Sequence, residues 1–324
     1  MTATKKAPAK KRAPAKKKID VKTGAEAVPT PSQGYYRDPN DPSIKLRRVT
    51  TILEQGAPKG GLVWWAGNTV AQSAIENLPW LVTHVRRPED RDEAYDWLRR
   101  AHERKKDERG DIGAAVHTII ECHILGTAIP PHIQNDPEMA PFVVNFLAFI
   151  KDWQVTFTAS EMVVANYGET RDGIEYPGYA GKLDYMLRSR PICEELQRLG
   201  YEVDPEAELD MMGDTKTGGG LDELTSAGNP KGVYPEAGLQ MGAYRKGDKA
   251  WLQDGTKVDM PPTHPVGIVL HLRPEGYRIY PMRCDEWVFG KFRHIQAVAE
   301  WTQLSTSTKQ TIRGEPLTNP KKEN

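Results

Sequence analysis

Cysteine is scarce in this sequence, with three in 324 residues, and long apolar runs and net charge are missing altogether. Cys122, Cys193 and Cys284 are odd in number and scattered, without metal-type spacing, which argues against a disulfide framework, a zinc site or an iron–sulfur cluster. No window approaches the ~18 consecutive apolar residues of a membrane helix, and the N-terminus lacks the apolar core of a signal peptide. With 38% hydrophobic residues and a mean hydropathy of −0.61, the chain is expected to be soluble and cytoplasmic, with reduced thiols. It has core enough for one large domain or two small ones.

The zero net charge is a cancellation. Residues 1–22 carry nine Lys or Arg against Asp20 alone, leaving 35 basic and 43 acidic residues in the remainder. The Ala-Pro-Ala-Lys-Lys repeats of this tail cannot bury apolar surface, so residues 1–33 are expected to be disordered. The tail either attracts phosphate without reading sequence or only solubilises the chain. A folded domain is expected over 34–304, followed by a loose polar end, 305–324.

Along that domain, residues 34–48 read as turns around a short extended piece. Helical patterns follow at 49–56 and 61–75. Trp64 and Trp65 of the second can stack on bases, but adjacent residues point about 100° apart, so at least one is expected in the core. A charged helix over 92–109 is expected to be separated by Gly110 and Gly113 from another over 114–125. There Val116, Ile119, Ile120 and Ile124 form an apolar stripe and His117 and Glu121 stand four apart. His117 is either an ordinary histidine or a ligand, and a zinc-protease motif is excluded because that face has no second histidine. A helix over 141–153 precedes strands at 161–167 and 178–188 joined at Asp172-Gly173. The excursion 190–208 has no assigned role. A strand over 208–217, a helix over 234–246, a hairpin at 266–272 and 277–282, and a closing helix over 285–304 complete the domain.

The chemistry gathers between Gly178 and Gly220. Strand periodicity places Asp184 on a face with Lys182 and Met186, and Asp214 on a face with Lys216. Acid-x-Lys also occurs at Asp20-Val21-Lys22 and Glu103-Arg104-Lys105, in a tail and in a helix. Only Asp214-Thr215-Lys216 ends a strand and has an upstream partner carboxylate. It is either a solvated surface strand or a site, and context decides. Two carboxylates and the Thr215 carbonyl are oxygen ligands enough for Mg²⁺, and a lysine two positions on can orient water and offset charge building on a phosphorane.

The ordered set Gly113-x-x-x-His117-x-x-x-Glu121, Gly181-x-x-Asp184, Asp214-x-Lys216 and Gln240-x-x-x-Tyr244 resembles the PD-(D/E)XK nuclease superfamily. The likeness is greatest to RecB-type nuclease domains and phage recombination exonucleases, and it spans about residues 35–304. The resemblance implies Asp184, Asp214 and His117 as metal ligands and Lys216 as the residue that positions the attacking water. Glu121 would hold a second ion or a metal-bound water, and Gln240 and Tyr244 would position substrate. It also implies an α/β fold, a central mixed sheet flanked by helices with a helical N-terminal part.

The expected cofactor is Mg²⁺, one ion or two, with Mn²⁺ able to substitute because His117 offers nitrogen. No iron–sulfur cluster is expected, since three cysteines cannot supply the four that some relatives use. The expected activity is a DNA exonuclease in recombination, repair or phage DNA processing, partnered by a single-strand annealing or recombination protein. The alternatives are a structure-selective or nicking endonuclease using the same site, a non-catalytic protein that binds DNA through its tail, and an acidic metal-binding structural protein.

Overall fold

A computed structural model describes residues 29–57, 59–171, 173–225, 228, 230–252 and 256–306. The basic segment 1–22 and residues 307–324 lie outside them. Two short strands, β1 (Tyr35–Arg37) and β2 (Lys45–Arg48), lead into helices α1 (Val49–Gly56), α2 (Gly60–Glu76), α3 (Leu78–Val85), α4 (Arg91–Arg99) and α5 (Ala101–Leu125). The short α6 (Pro131–Gln134) and α7 (Ala140–Asp152) precede a long hairpin of β3 (Thr156–Arg171) and β4 (Ile174–Arg188), then α8 (Arg190–Arg198) and β5 (Met211–Lys216). The chain closes with α9 (Glu236–Arg245), β6 (Lys249–Trp251), β7 (Lys257–Asp259), the β8 (Val266–Arg273) and β9 (Gly276–Arg283) hairpin, and α10 (Glu286–Thr306).

The strands form one mixed sheet in the order β7-β6-β3-β4-β5-β8-β9, with β2 also against β4 and β1 against β2. The β2–β4 and β5–β8 pairs are parallel and the rest antiparallel. On one face, Val116, Ile119 and Ile120 of α5, three phenylalanines of α7 and Ile192 and Leu196 of α8 cover Tyr185, Leu187 and Leu270. On the other, α1, Met241 and Tyr244 of α9 and Phe292 of α10 cover Tyr179, Leu183, Met186 and Met212. The result is the expected α/β fold with helices on both faces.

The detail departs from expectation in several places. Gly110 and Gly113 do not end a helix. The chain breaks at Arg100, and α5 runs through both glycines for 25 residues. Glycine costs about 1 kcal/mol in a helix interior, and burial of the stripe at Val116, Ile119 and Ile120 outweighs it. The 190–208 excursion contains α8, N-capped by Ser189 Oγ, which accepts from the Ile192 N–H at 3.2 Å. Neither Trp64 nor Trp65 enters the core, because α2 buries no side chain.

Candidate active site

Strand β4 is paired along its whole length by β3, but its other edge is shared. Arg47 and Arg48 of β2 pair with Tyr179 and Ala180, and β5 pairs only from Tyr185 onward, opposite Gly213. Between these two ladders β4 exposes an unpaired stretch holding Lys182 and Asp184. Where β5 parts from β4, the Thr215 N–H donates to Asp184 Oδ2 at 3.0 Å. A side chain thus satisfies a donor that a ladder would otherwise take, and the bond fixes the carboxylate.

Asp184 also marks a break in the strand's alternation. Leu183 and Met186 pack in the same cluster while Tyr185 packs in the opposite one, so the period of two expected to carry Lys182, Asp184 and Met186 on one face fails here. Ser160 pairs with Tyr185 and Met162 with Leu183, which sets Glu161 opposite Asp184. Glu161 has φ of +54°, a left-handed conformation that side chains adopt at a cost and that gathers at functional sites.

These features bring together three ligand groups. One atom each from His117, Glu161 and Asp184 lie within 4.8 Å of one another, and His117 Nδ1 is 3.4 Å from Asp184 Oδ2. The ligands of an octahedral Mg²⁺ stand about 3–4 Å apart, so two carboxylates and an imidazole at this spacing fit a divalent cation after small adjustments. Glu161, 6% exposed, is ion-paired with Lys182. Asp214, 5% exposed, is ion-paired with Lys216. Each buried acid therefore has its own lysine.

Burial, reinforced by Asp184, pushes the Asp214 carboxyl up to about 6, against the pull of Lys216 and His117. Burial works the other way on Lys216, but Asp214 and Asp184 outweigh it and hold the ammonium above the ordinary lysine range. Lys216 is therefore a cation at neutral pH, able to donate hydrogen bonds but not to accept a proton.

Two glycines let the strands close up. A Cβ on Gly213 would overlap the Tyr185 ring, and one on Gly181 would overlap Tyr244. Tyr185 Oη in turn bonds Thr215 Oγ1 at 3.1 Å. Beyond Lys216 the chain is pinned by three side chains of the β8–β9 hairpin. Arg273 Nη1 donates to Thr217 O, His271 Nε2 to Gly218 O at 2.9 Å, and Arg278 Nη1 to Leu221 O at 2.5 Å. His271 pairs in register with Lys216, and burial keeps its imidazole below the ordinary pKa.

Of the residues singled out from the sequence, His117 and Asp184 meet directly, and Asp214, Thr215 and Lys216 adjoin them on β5. Asp214 stays out of the three-residue group, tied to Lys216, and so does Glu121, half-buried on α5. Gln240 Nε2 donates to Tyr244 Oη at 2.9 Å. Tyr244 is 1% exposed, so it supports β4 at Gly181 and has no surface for substrate. Glu161 belongs to the group without standing in any of the sequence motifs. Counting outward from the Asp172-Gly173 turn sets it opposite Asp184, so its signal lay in the hairpin register. His271, Arg273 and Arg278 carry no such signal, because their partners are main-chain carbonyls of a distant loop.

No protein-family model matches the chain, and no curated protein is similar to it. Among solved structures it is similar to one described as "Crystal structure of SSO0001", at 13% identity and a TM-score of 0.27. The match covers 55% of this chain and 62% of that one, so the chain spans less than two thirds of that structure. At that TM-score the likeness says nothing about what this chain does.

Proposed function

We propose that this chain is a divalent-metal-dependent deoxyribonuclease of the PD-(D/E)XK kind, acting on DNA ends. The observation that carries this reading is the gathering of Glu161, Asp184, Asp214, Lys216 and His117 where β4 and β5 separate. A buried set of acids with its own lysines and a half-exposed histidine is costly to assemble, and a solvated surface strand has no use for it. His117, Glu161 and Asp184 would hold Mg²⁺, or Mn²⁺ through the histidine nitrogen. When bound, such an ion would supply Lewis acidity toward the scissile phosphate and would lower the pKa of an attacking water.

The chain's own residues do the rest. The Thr215 N–H keeps Asp184 in one orientation. Lys216, protonated and 46% exposed, can hydrogen-bond the attacking water and offset negative charge building on the phosphoryl oxygens. Asp214 holds that ammonium in place. Gln240 and Tyr244 brace β4 from behind.

Incubation of the full chain with linear and covalently closed circular duplex DNA, in Mg²⁺, Mn²⁺ and EDTA, tests the reading. Metal-dependent loss of linear DNA with circles intact is the expected result. Cutting of circles would replace the exonuclease reading by an endonuclease at the same site, and absence of hydrolysis in every condition would overturn both.

A further inference from the structure

The two buried acids where β4 and β5 part have a lysine each, but the lysines stand in different relations to the ligand group. Asp214, paired with Lys216, lies outside that group. Glu161 belongs to it, together with His117 and Asp184, and the carboxylate it offers is the one paired with the Lys182 ammonium. An ammonium carries three donors and no acceptor, so Lys182 cannot join a metal's ligand shell. It competes with a divalent ion for one carboxylate, and two cations at that range repel. In the metal-free chain Lys182 therefore stands in for the ion, compensating a charge that burial would otherwise leave unpaired.

The two partners differ in their freedom to move. The Glu161 side chain is 8% exposed and that of Lys182 49%. Glu161 is held on β3 by a backbone at φ of +54°, so the acid stays and the lysine can leave. Lys182 pairs across the ladder with Val163, two residues from Glu161, so its stem leans along the sheet to reach the acid. On its other side β4 is unpaired, because the β2 ladder ends at Ala180 and the β5 ladder begins at Tyr185. Released from Glu161, the ammonium turns into the opening between those ladders and remains within one side-chain length of the ligand group. A phosphate engaged by an ion held there has to lie in the same opening. An ammonium on a flexible stem is a compact point charge suited to a phosphate oxygen.

We propose, resting on the nuclease reading above, that Lys182 is an exchangeable cation. It occupies Glu161 when no metal is bound, yields that carboxylate to the ion, and passes to the DNA phosphate beside it. Metal binding thereby creates a DNA contact that the metal-free chain lacks. Lys182 sets metal affinity and positions substrate, and Lys216, whose acid is outside the ligand group, does not take part in the exchange.

The experiment compares the full chain with Lys182→Met, and with Lys182→Gln as a second variant that still offers Glu161 a hydrogen bond. Circular dichroism checks that both fold. Calorimetric titration with Mn²⁺, chosen because His117 offers nitrogen, is expected to show about tenfold tighter binding in both variants without DNA, since the competing cation is gone. Fluorescence anisotropy of a labelled duplex oligonucleotide in EDTA is expected to give both variants the wild-type DNA affinity. In saturating Mn²⁺ their KM for linear DNA should rise about tenfold, the worth of one charged hydrogen bond, with kcat near the wild-type value. Equal Mn²⁺ affinity in variants and wild type overturns the exchange. So does a loss of DNA affinity as large in EDTA as in Mn²⁺, because a lysine already on the phosphate has nothing to exchange. In both cases a wild type that binds Mn²⁺ and cuts DNA leaves the nuclease reading standing. A wild type that takes up no Mn²⁺, or cuts no DNA, overturns the reading and the exchange together.

Discussion

Strand β4 and helix α2 are alike in length, at 15 and 17 residues, and both are rich in apolar side chains, yet they end in opposite situations. Tyr179, Leu183, Tyr185, Met186 and Leu187 of β4 are each 2% exposed or less, whereas α2 buries nothing. The difference is in partners. Strand β4 is flanked by β3, β2 and β5 and covered by helices on both faces, while α2 has its neighbours on one side. The comparison teaches where ionisable groups can be held inside. Only a region pinned this firmly can keep Glu161 and Asp214 buried beside Asp184, because each costs free energy that surrounding packing must offset.

Mutations can break or sharpen that contrast. The largest stability effect is expected behind β4, at Phe292, which is fully buried and meets Tyr179 edge to face with ring centroids 5.0 Å apart. Phe292→Ala should cost about 3–5 kcal/mol, read as a fall in the urea midpoint. A cost below ~1 kcal/mol would mean that this face is far looser than its packing implies.

Next comes Asp214→Asn in metal-free protein. The Asp214 carboxyl is raised to about 6 in the folded state from an ordinary 3.8, so folding favours its protonated form. The penalty is absent below pH ~3.8, grows as pH rises and is complete above ~6. Asparagine cannot ionise, so the variant should be more stable than wild type by about 1–3 kcal/mol at pH 8 and should lose that advantage by pH 4. Denaturant melts at the two pH values check the sign, and a variant less stable at pH 8 would show that the Lys216 pair more than repays the burial. The smallest effect is expected on α2. Trp64→Ala in dilute protein should change unfolding free energy by less than ~0.5 kcal/mol, and a loss of several kcal/mol would mean the indole packs on its own chain.

Much of this was legible in the sequence, for physical reasons that also explain the rest. Asp184 and Asp214 lie in strands whose neighbours alternate or are strongly apolar, and His117 shares its helix with a clear apolar stripe, so local pattern sufficed. The hairpin turn was legible too, and the register it sets contains Glu161. The face change at Asp184 was not legible, because it depends on the unusual backbone of Glu161 across the ladder. Strands β6 and β7 span three residues each, too few to show a period. The stripe Ile192, Cys193 and Leu196 of α8 is hidden among charges, although Ser189 and Pro191 mark its start. Adjacent Trp64 and Trp65 point about 100° apart, which predicts at least one in the core, and only the tertiary structure shows that the neighbours of α2 leave Trp65 half-buried and Trp64 exposed.

The most direct test of the site at the parting of β4 and β5 is the rate of hydrolysis of linear DNA by Lys216→Ala beside wild type in Mg²⁺, with DNA binding measured on both proteins. Removing one preorganised cation from a developing phosphorane is expected to slow turnover by about 10²–10³-fold or more, with binding retained. If Lys216→Ala hydrolyses DNA at the wild-type rate, or if deleting residues 1–22 abolishes function while Lys216→Ala leaves it intact, the carboxylates and lysine gathered there are not the active site.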